Sequence, residues 1–320
     1  MTNKFIVLLI ILNTFNILKA KHIIYPAPIL QGDTIAICSP SGPVEAYKVE
    51  GAARVLEQQG WKVKVMPHAL DTVGNYAGAP QHRYEDLVAA LNDPTVRAVL
   101  CSRGGYGAVH ILDDLDSIDL RKDPKWMIGF SDISALHALY TKHGIASIHS
   151  NMTGDIMNAG EEEPNTTLFR MFRGEKPELE YQSDSTLDRP GTATGRLVGG
   201  NVAVLAHLIG TPYNVFEPGT ILFIEDIGEP IYKIERILYQ LRLMGILENL
   251  GGLIVGQFTD YRPDRSHDKM EDMIADMVKD YQYPVSFNAP IGHVDYNMPV
   301  IENATVTLNV SPGKTLLQYH

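Results

Sequence analysis

Apolar and polar positions alternate with two different periods along the first half of the chain. Short apolar runs such as Thr34-Ile35-Ala36-Ile37-Cys38 are each followed by a longer segment whose apolar residues are three or four positions apart. Short runs are typical of buried strands, and the longer period is typical of amphipathic helices. Strands that alternate with helices indicate a parallel sheet covered on both faces. The pattern predicts strands at 34–38, 61–65, 97–101 and just before Ser131, and helices at about 45–59, at about 81–92, around Leu112 and around Leu136.

The second half of the chain has a mixed pattern. Residues 174–194 are polar and contain Pro177 and Pro190, which makes them the best candidate for a linker. The last segments, 304–310 and 315–318, alternate as antiparallel strands do. We therefore predict an α/β N-terminal domain over residues 30–173 and a smaller α+β C-terminal domain over 195–320. The other elements predicted there are helices at 202–209, 232–247 and about 267–279, and strands at 220–224, 253–257 and 285–287.

Residues 1–20 differ from the rest of the chain. Lys4 precedes an apolar run from Phe5 to Leu12, which fades into polar residues before Ala20. A positive start, a short apolar run and a small residue near the cleavage point are typical of a secretory signal peptide. The run is short for a membrane span, although an uncleaved membrane tether is the main alternative. We predict a periplasmic or secreted protein without a membrane span in its mature form, with a cytoplasmic location as the alternative.

Composition and charge narrow the class of protein further. The 320 residues are 45% hydrophobic, which is ordinary for a globular chain. A net charge of −11 opposes binding to nucleic-acid phosphates and to anionic membranes, so we expect neither as a partner. The two cysteines, Cys38 and Cys101, each end a strand-like run, which favours buried free thiols. A disulfide is the alternative if the chain is exported and the two strands are neighbours.

The most informative motif is Gly129-Phe130-Ser131-Asp132, between an apolar run and a helical pattern. A strand that stops in a tight turn and opens into a helix projects its turn residue out of the sheet. A serine there presents its hydroxyl above a helix N-terminus, where backbone N–H groups can stabilise an oxyanion. Ser131 is therefore a candidate nucleophile. The alternative is that Ser131 is a helix N-cap, for which serine is a favoured residue.

A nucleophilic serine needs a base and a carboxylate to orient that base. Of the eleven histidines, His293 is the first choice, because it lies in a turn-like stretch after an apolar strand, and His149 is the second. Glu225 directly follows the apolar run Ile221 to Ile224, where a carboxylate is costly to bury unless it is paired. Glu225 is thus the candidate orienting residue. The alternatives are its pairing with Lys233 or Arg236, and the competing acids Asp226 and Glu229.

The loop Gly104-Gly105-Tyr106-Gly107 lies between a strand and a helix. Its spacing matches neither of the common nucleotide-binding glycine patterns, so a nucleotide role is weak. An oxyanion donor fits better beside a nucleophile on a nearby strand end, and a tight strand–helix connection is the alternative. The sequence contains no H-E-x-x-H motif or similarly tight His/Asp cluster, so we predict neither a metal site nor a cofactor.

Taken together, these motifs resemble the LD-carboxypeptidase family of serine peptidases, which includes muramoyltetrapeptide carboxypeptidases and microcin-immunity peptidases. The resemblance extends from about Gly32 to Asn309, and the order and spacing of its short motifs make it specific. Its marks are Gly32-Asp33, Ser39-Pro40-Ser41-Gly42, Arg103 to Gly107, Gly129 to Asp132, Gly199-Gly200-Asn201, Phe223 to Asp226 and Gly292-His293.

The resemblance implies a Ser–His–Glu triad divided between two domains. Ser131 would be the nucleophile, His293 the general base and Glu225 its orienting carboxylate, with the backbone N–H groups of Gly105 and Asp132 as the oxyanion hole. The N-terminal domain would resemble class I glutamine amidotransferases. The implied reaction releases the terminal D-alanine of a murein tetrapeptide through an acyl-enzyme, and the family implies a homodimer.

A carboxypeptidase must also bind a free terminal carboxylate. Arg103 is the candidate, because a guanidinium matches a carboxylate, and a surface ion pair is its alternative. Asn201 is a further candidate for hydrogen bonding to substrate. Val294 departs from the family pattern, in which glycine often follows the histidine. Three other functions stay open: an amidase that cleaves acyl-adenylate peptide conjugates, a non-enzymatic two-domain binding protein, and a glutamine-amidotransferase-like enzyme, which would need cysteine at position 131.

Overall fold

The computed structural model describes residues 23–158, 162–184 and 186–320. The predicted signal peptide, residues 1–20, lies outside this range. Within it, no helix combines the length and the apolar composition that crossing a bilayer requires.

The first half of the chain forms the parallel sheet that the alternating pattern predicts. Strands β1 to β5 are mutually parallel in the spatial order β5-β4-β3-β1-β2, and the helices connect them. The apolar residues of β1, β3 and β4 are buried, while Thr34 and Arg97 are partly exposed, as expected for a sheet covered on both faces. The elements are β1 (Thr34–Cys38), α1 (Ala46–Gln58), β2 (Lys62–Val65), α2 (Pro80–Asn92), β3 (Val96–Cys101), α3 (Leu112–Asp116), β4 (Trp126–Gly129), α4 (Ser134–His143), β5 (Ser147–His149), α5 (Thr153–Ile156) and α6 (Glu163–Phe172).

The second half forms a mixed seven-stranded sheet in the order β10-β9-β8-β7-β12-β13-β6. Strands β7 to β10 are parallel, and β12, β13 and β6 complete the sheet with antiparallel pairings. The α/β and α+β class predicted from the sequence is therefore confirmed. The elements are β6 (Leu179–Tyr181), β7 (Gly191–Asn201), α7 (Val202–Ala206), β8 (Ile221–Ile227), α8 (Ile231–Leu243), β9 (Gly252–Thr259), α9 (Met270–Val278), β10 (Val285–Ser286), β11 (Val300–Glu302), β12 (Thr305–Ser311) and β13 (Lys314–Tyr319).

Segment 174–194, predicted as a linker, contributes to the second sheet. It contains the edge strand β6 and the start of β7. In β6, Leu179 and Tyr181 are buried and Glu180 is exposed, so the strand has the two-residue period of a half-buried edge. Three residues among prolines and charged side chains are too few to reveal this period in the sequence.

Strand β11 departs most clearly from the predicted division into domains. It leaves the C-terminal half and joins the first sheet antiparallel to β5, with Val300 opposite His149 and Glu302 opposite Ser147. Asn303 turns the chain back into β12 with a positive φ of 64° and donates a 3.1 Å hydrogen bond to the carbonyl of Ile145. This crossing ties the two sheets together and so positions the carboxyl ends of their strands relative to each other.

The two cysteines are neighbours in the first sheet. Cys38 on β1 is in register with Cys101 on β3, and both thiols are buried and free. Burial raises the pKa of both thiols. The structure thus agrees with the prediction of buried free thiols and shows that the strands are neighbours.

Candidate active site

Ser131 occupies a sharp elbow between β4 and α4. Phe130 is extended, and Ser131 then adopts a positive φ of 65° at the start of a short 3₁₀ turn, Ser131–Ile133. This conformation is unfavourable for a residue with a Cβ, and strained residues of this kind cluster at functional sites. The N-cap positions of the turn and of α4 belong to Phe130 and Ile133. The N-cap alternative for Ser131 is therefore wrong, and its side chain is free to project from the sheet.

The glycine loop lies directly against this elbow. A Cβ placed on Gly104 would be 2.7 Å from Cβ of Ser131 and 2.9 Å from its Oγ. The same position is 3.5 Å from the backbone nitrogen of Asp132. Position 104 must therefore lack a side chain for the loop to approach the serine. The approach brings the backbones of Gly104 and Gly105 to the same cavity as the Ser131 hydroxyl.

His293 connects Ser131 to Glu225. Its Nε2 lies 3.0 Å from Oγ of Ser131, and its Nδ1 lies 2.7 Å from Oε2 of Glu225. The side chain of His293 is 16% exposed, and that of Glu225 is fully buried. With Nδ1–H donating to the carboxylate, Nε2 carries a lone pair that can accept a hydrogen bond from the Ser131 hydroxyl. The structure therefore brings together the three residues chosen from the sequence, from β4, β8 and the loop after β10.

Glu225 is held at the carboxyl end of β8 by a close-fitting loop. A Cβ on Gly292 would lie 2.9 Å from Cβ of Glu225 and 3.1 Å from its Oε2, and Gly292 has a φ of +129°. Both facts require glycine at this position. The neighbouring backbone then places His293 over the carboxylate.

The alternative partners of Glu225 are occupied elsewhere. Lys233 forms an ion pair with Glu229 at 3.0 Å, and the guanidinium of Arg236 lies over the ring of Tyr232. The carboxylate of Asp226 accepts hydrogen bonds from the backbone N–H groups of Ala203 and of the next residue, Ile227. Burial raises the pKa of Asp226 to about 6. Among these acids, it is Glu225 that contacts the histidine.

The pKa of His293 is raised above its ordinary value by its surroundings. Burial lowers it, but the hydrogen bond and charge of Glu225, with smaller contributions from Asp226 and Asp155, outweigh that effect. A carboxylate that stabilises the protonated ring makes the imidazole a stronger base. The electrostatics of the site therefore suit acceptance of a proton from Ser131.

The side chain of Asp132 ties three segments together, a contribution that sequence reasoning missed. Its Oδ2 accepts a 2.6 Å hydrogen bond from Oγ of Ser41 and a 2.9 Å bond from the backbone N–H of Ala108. Burial raises the pKa of this carboxyl, and these hydrogen bonds oppose the rise. The loop after β1 and the glycine loop are thus anchored to the residue that follows the serine. The sequence feature that could have indicated this contact is Ser41, which lies in the Ser39–Gly42 motif.

A cleft of about 410 Å³ opens over Ser131 and His293. This is within the size range of small-molecule sites. Arg103 lines the cleft and donates a 2.9 Å hydrogen bond to the carbonyl of Pro43. Its position is that expected of a substrate-binding residue.

Two further charged residues, Lys48 on α1 and Asp155 on α5, also line the cleft. No sequence motif pointed to these two residues, because both belong to ordinary helical patterns. The apolar wall is formed by Val44, Phe130, Met152 and Ile227.

Two sequence candidates lie outside this arrangement. The side-chain oxygen of Asn201 accepts a 3.1 Å hydrogen bond from the backbone of Val204 and so caps α7. His149 is fully buried, with its ring against Phe130 and Phe223, and burial holds its pKa well below the ordinary value. The structure therefore uses Asn201 as a helix cap and keeps His149 in the core. The first-choice histidine is the one beside Ser131.

Comparison with known proteins agrees with this fold. Residues 35–150 match the family described as the LD-carboxypeptidase N-terminal domain, and residues 194–308 match the LD-carboxypeptidase C-terminal domain. The chain is 31% identical over 270 residues to a murein tetrapeptide carboxypeptidase of Pseudomonas aeruginosa, a match that covers 81% of this chain and 87% of that protein. The chain belongs to the LD-carboxypeptidase family and is a serine-type carboxypeptidase.

Solved structures show the same architecture. The crystal structure of muramoyltetrapeptide carboxypeptidase from Oxalobacter formigenes superposes with a TM-score of 0.79 at 29% identity, over 89% of this chain and 98% of that one. An MccF-like protein from Bacillus anthracis gives a TM-score of 0.80 at 25% identity, over 93% of this chain and 100% of that one. The two-sheet fold predicted from the sequence is therefore the fold of this family.

Proposed function

We propose that this chain hydrolyses the amide that joins a terminal D-alanine to the diamino acid of a murein tetrapeptide, through a covalent intermediate on Ser131. The observation that carries the proposal is the hydrogen-bonded chain from Ser131 through His293 to buried Glu225 at the cleft. A positioned serine, base and orienting carboxylate are the parts that acyl transfer requires.

The first half of the reaction forms the acyl-enzyme. Nε2 of His293 accepts the Ser131 proton as Oγ attacks the scissile carbonyl carbon. The carbonyl oxygen becomes an oxyanion, and Glu225 stabilises the imidazolium. The tetrahedral intermediate collapses, the C–N bond breaks, and His293 gives its proton to the nitrogen of departing D-alanine. The shortened peptide is left as an ester on Ser131.

The second half repeats these steps with water. His293 accepts a proton from the water molecule as its oxygen attacks the ester. The new tetrahedral intermediate releases the peptide carboxylate, and the proton returns to Oγ of Ser131. The enzyme recovers its starting state without a redox partner.

We assign the oxyanion hole to the backbone N–H groups of Gly105 and Asp132. Asp132 directly follows the serine, and its side chain anchors the glycine loop through Ala108. One such donor contributes about 3–4 kcal/mol to transition-state stabilisation. The close approach of Gly104 to Ser131 supports this assignment, because it brings the glycine loop against the serine elbow.

The charges in the cleft fit a peptide with a free carboxyl terminus. Lys48 and Arg103 both line it, and either cation can pair with the carboxylate of the terminal residue. Asp155, on the same cleft, offers a carboxylate to an amino group of the diamino acid. We propose this pairing of opposite charges as the basis of substrate orientation.

The experiment that tests the function is incubation of the purified protein with a murein tetrapeptide and measurement of free D-alanine. Two matched substrates serve as controls: the same peptide with a C-terminal amide, and an aminoacyl-adenylate conjugate. Release from the free tetrapeptide alone supports the proposal. Cleavage of the conjugate without D-alanine release assigns the alternative amidase activity, and a folded protein that turns over neither substrate contradicts the proposal.

We also propose that residues 1–20 direct export and are then removed. Sequencing the N-terminus of the mature protein tests this. A mature chain that begins near Lys21 supports it, and a chain recovered from the cytoplasm with these residues intact contradicts it.

A further inference from the structure

Two histidines and an aspartate converge on the surface of the first sheet, away from the residues assigned to catalysis. His68 and Asp71 lie in the loop after β2, and His82 lies in the first turn of α2. One ligand atom from each residue lies within 4.8 Å of the other two. The rings of His68 and His82 are stacked with centroids 4.2 Å apart, and Nδ1 of His82 lies 2.8 Å from Oδ2 of Asp71.

A fourth residue, Asp86, holds His68 in position. Asp86 is one helical turn after His82 on α2, so both side chains lie on the same face of the helix. Its Oδ1 lies 2.9 Å from Nδ1 of His68, and its Oδ2 accepts a 2.9 Å hydrogen bond from the backbone N–H of the same residue. A buried carboxylate on one ring nitrogen directs the lone pair of the other nitrogen outward, as second-shell carboxylates do for metal-bound histidines.

From this geometry we propose that His68, Asp71 and His82 bind one divalent zinc-class ion, with Asp86 orienting His68. Two imidazoles and one carboxylate suit Zn²⁺ and Co²⁺, whereas Mg²⁺ and Ca²⁺ prefer oxygen ligands only. Ligands of a tetrahedral ion with bonds of ~2.0 Å are about 3.3 Å apart, so the His82–Asp71 pair needs only a small movement. The three ligand side chains are 30%, 38% and 45% exposed, which leaves the ion a path from solvent and a fourth position for water.

Sequence spacing did not reveal this set, because its members are joined by a loop rather than by one helix. Hydrogen bonds connect this loop to the segment after β1, and that segment contacts Asp132, which follows the nucleophile. Oγ of Ser39 donates to the carbonyl of Ala69, and the N–H of Ala77 donates to the carbonyl of Ser41, whose side chain bonds Asp132. An ion that joins the loop to α2 would therefore stabilise the Ser41–Asp132 contact, which holds the glycine loop in place, without contacting substrate.

The test is a titration of the metal-stripped full-length protein with Co²⁺, followed by visible absorption, and with Zn²⁺, followed by calorimetry. We expect one saturable equivalent of either ion and a melting temperature that rises with Zn²⁺ concentration. His82→Gln and His68→Gln each retain a polar side chain but lose the imidazole ligand. Each is expected to weaken binding by at least about tenfold. Asp71→Asn provides a third variant if either glutamine variant fails to fold.

The matched control is His143→Gln, which removes a histidine that bonds Asp116, a carboxylate that also pairs with Lys142. This variant is expected to bind both ions as the wild type does. The proposal is overturned if the wild type shows no saturable binding, or if the variants at positions 68, 71 and 82 bind as tightly as the control. Binding is read without substrate, so this result is independent of the peptidase assay.

Discussion

Nε2 of His293 lies 3.0 Å from Oγ of Ser131, although 162 residues separate the two in the chain. The serine follows β4 of the first sheet, and the histidine follows β10 of the second. Their contact therefore depends on how the two sheets are held together. Strand β11, which starts in the C-terminal half and pairs with β5, provides one such connection.

The hydrogen bond between His293 and Glu225 sets the pH dependence of the proposed reaction. The carboxylate raises the pKa of His293, and only the neutral ring can accept the serine proton. Activity is therefore expected to fall as the pH drops through a midpoint above the ordinary histidine value of about 6.5. Glu225→Gln removes the negative charge, so we expect a lower kcat and an acidic limb shifted to lower pH. The measurement is kcat/KM against pH, and an unshifted limb contradicts this role for Glu225.

The close contact between Gly292 and Glu225 predicts a loss of both activity and stability in Gly292→Ala. The new Cβ would meet Glu225 at 2.9 Å in a backbone conformation that disfavours side chains. Displacement of the adjacent His293 by ~1 Å can cost on the order of 100-fold in rate. The measurements are kcat with the tetrapeptide and the free energy of unfolding in urea.

Gly210→Ala is the matched control for that substitution. Gly210 also has a positive φ, of +84°, but nothing lies within 4 Å of its hypothetical Cβ. We expect it to lose only the backbone cost of about 1 kcal/mol and to retain full kcat. Equal losses of activity in the two variants would show that backbone strain alone, rather than contact with Glu225, is responsible.

The bond from Ser41 to Asp132 predicts that a residue remote from substrate supports catalysis. Ser41→Ala leaves the buried carboxylate without one of its donors, at a cost of about 1.5–3 kcal/mol of stability. Because Asp132 supplies a proposed oxyanion donor, we expect kcat to fall more than KM changes. The control is Ser117→Ala, which removes an exposed serine hydroxyl that donates to the carbonyl of Asp114. Wild-type kcat and stability in Ser41→Ala would refute the argument.

The crossing strand β11 carries a buried acid whose ionisation opposes folding. Burial raises the pKa of Glu302 well above its ordinary value, and its Oε1 has no hydrogen-bond partner among the described residues. Nε2 of His137 is 3.8 Å away, but burial lowers the pKa of His137 to about 4, so that ring is neutral at higher pH. The folded state therefore favours protonated Glu302, and stability is lost as the pH rises above about 4.3, the unfolded value.

Glu302→Gln should remove that part of the pH dependence. A glutamine is neutral at every pH, so the stability of the variant relative to the wild type is expected to increase as the pH rises. Urea unfolding at a series of pH values measures this. Parallel stability curves for the two proteins would mean that Glu302 does not change its ionisation on folding.

Much of the fold could be predicted because local pattern and burial agree in the first sheet. The runs that became β1 and β3 are mostly apolar, with Thr34 and Arg97 near their starts, as is typical of strands covered on both faces. The edge strand β6 and the crossing strand β11 have three residues each, and their pairing is decided by tertiary contacts. The local pattern of apolar and polar residues does not reveal such pairings. For this reason the sequence of segment 174–194 predicts a linker.

In the candidate site, too, some residues could be predicted from local pattern and others depend on tertiary contacts. Ser131, Glu225 and His293 could be chosen from the sequence because each lies where an apolar run or strand ends, and functional residues concentrate at the carboxyl ends of parallel strands. Lys48, Asp155 and the side-chain contacts of Asp132 could not, because they depend on how helices and loops pack across the cleft. The predicted homodimer and the predicted export stay predictions.

The most direct test of the account is the rate of D-alanine release from a murein tetrapeptide by Ser131→Ala, measured beside the wild type. The variant lacks only the attacking hydroxyl, so it should fold with an unchanged melting profile and still bind the peptide. We expect its kcat to be lower by at least about a thousandfold. A folded Ser131→Ala enzyme that releases D-alanine at a rate close to that of the wild type would contradict the central claim.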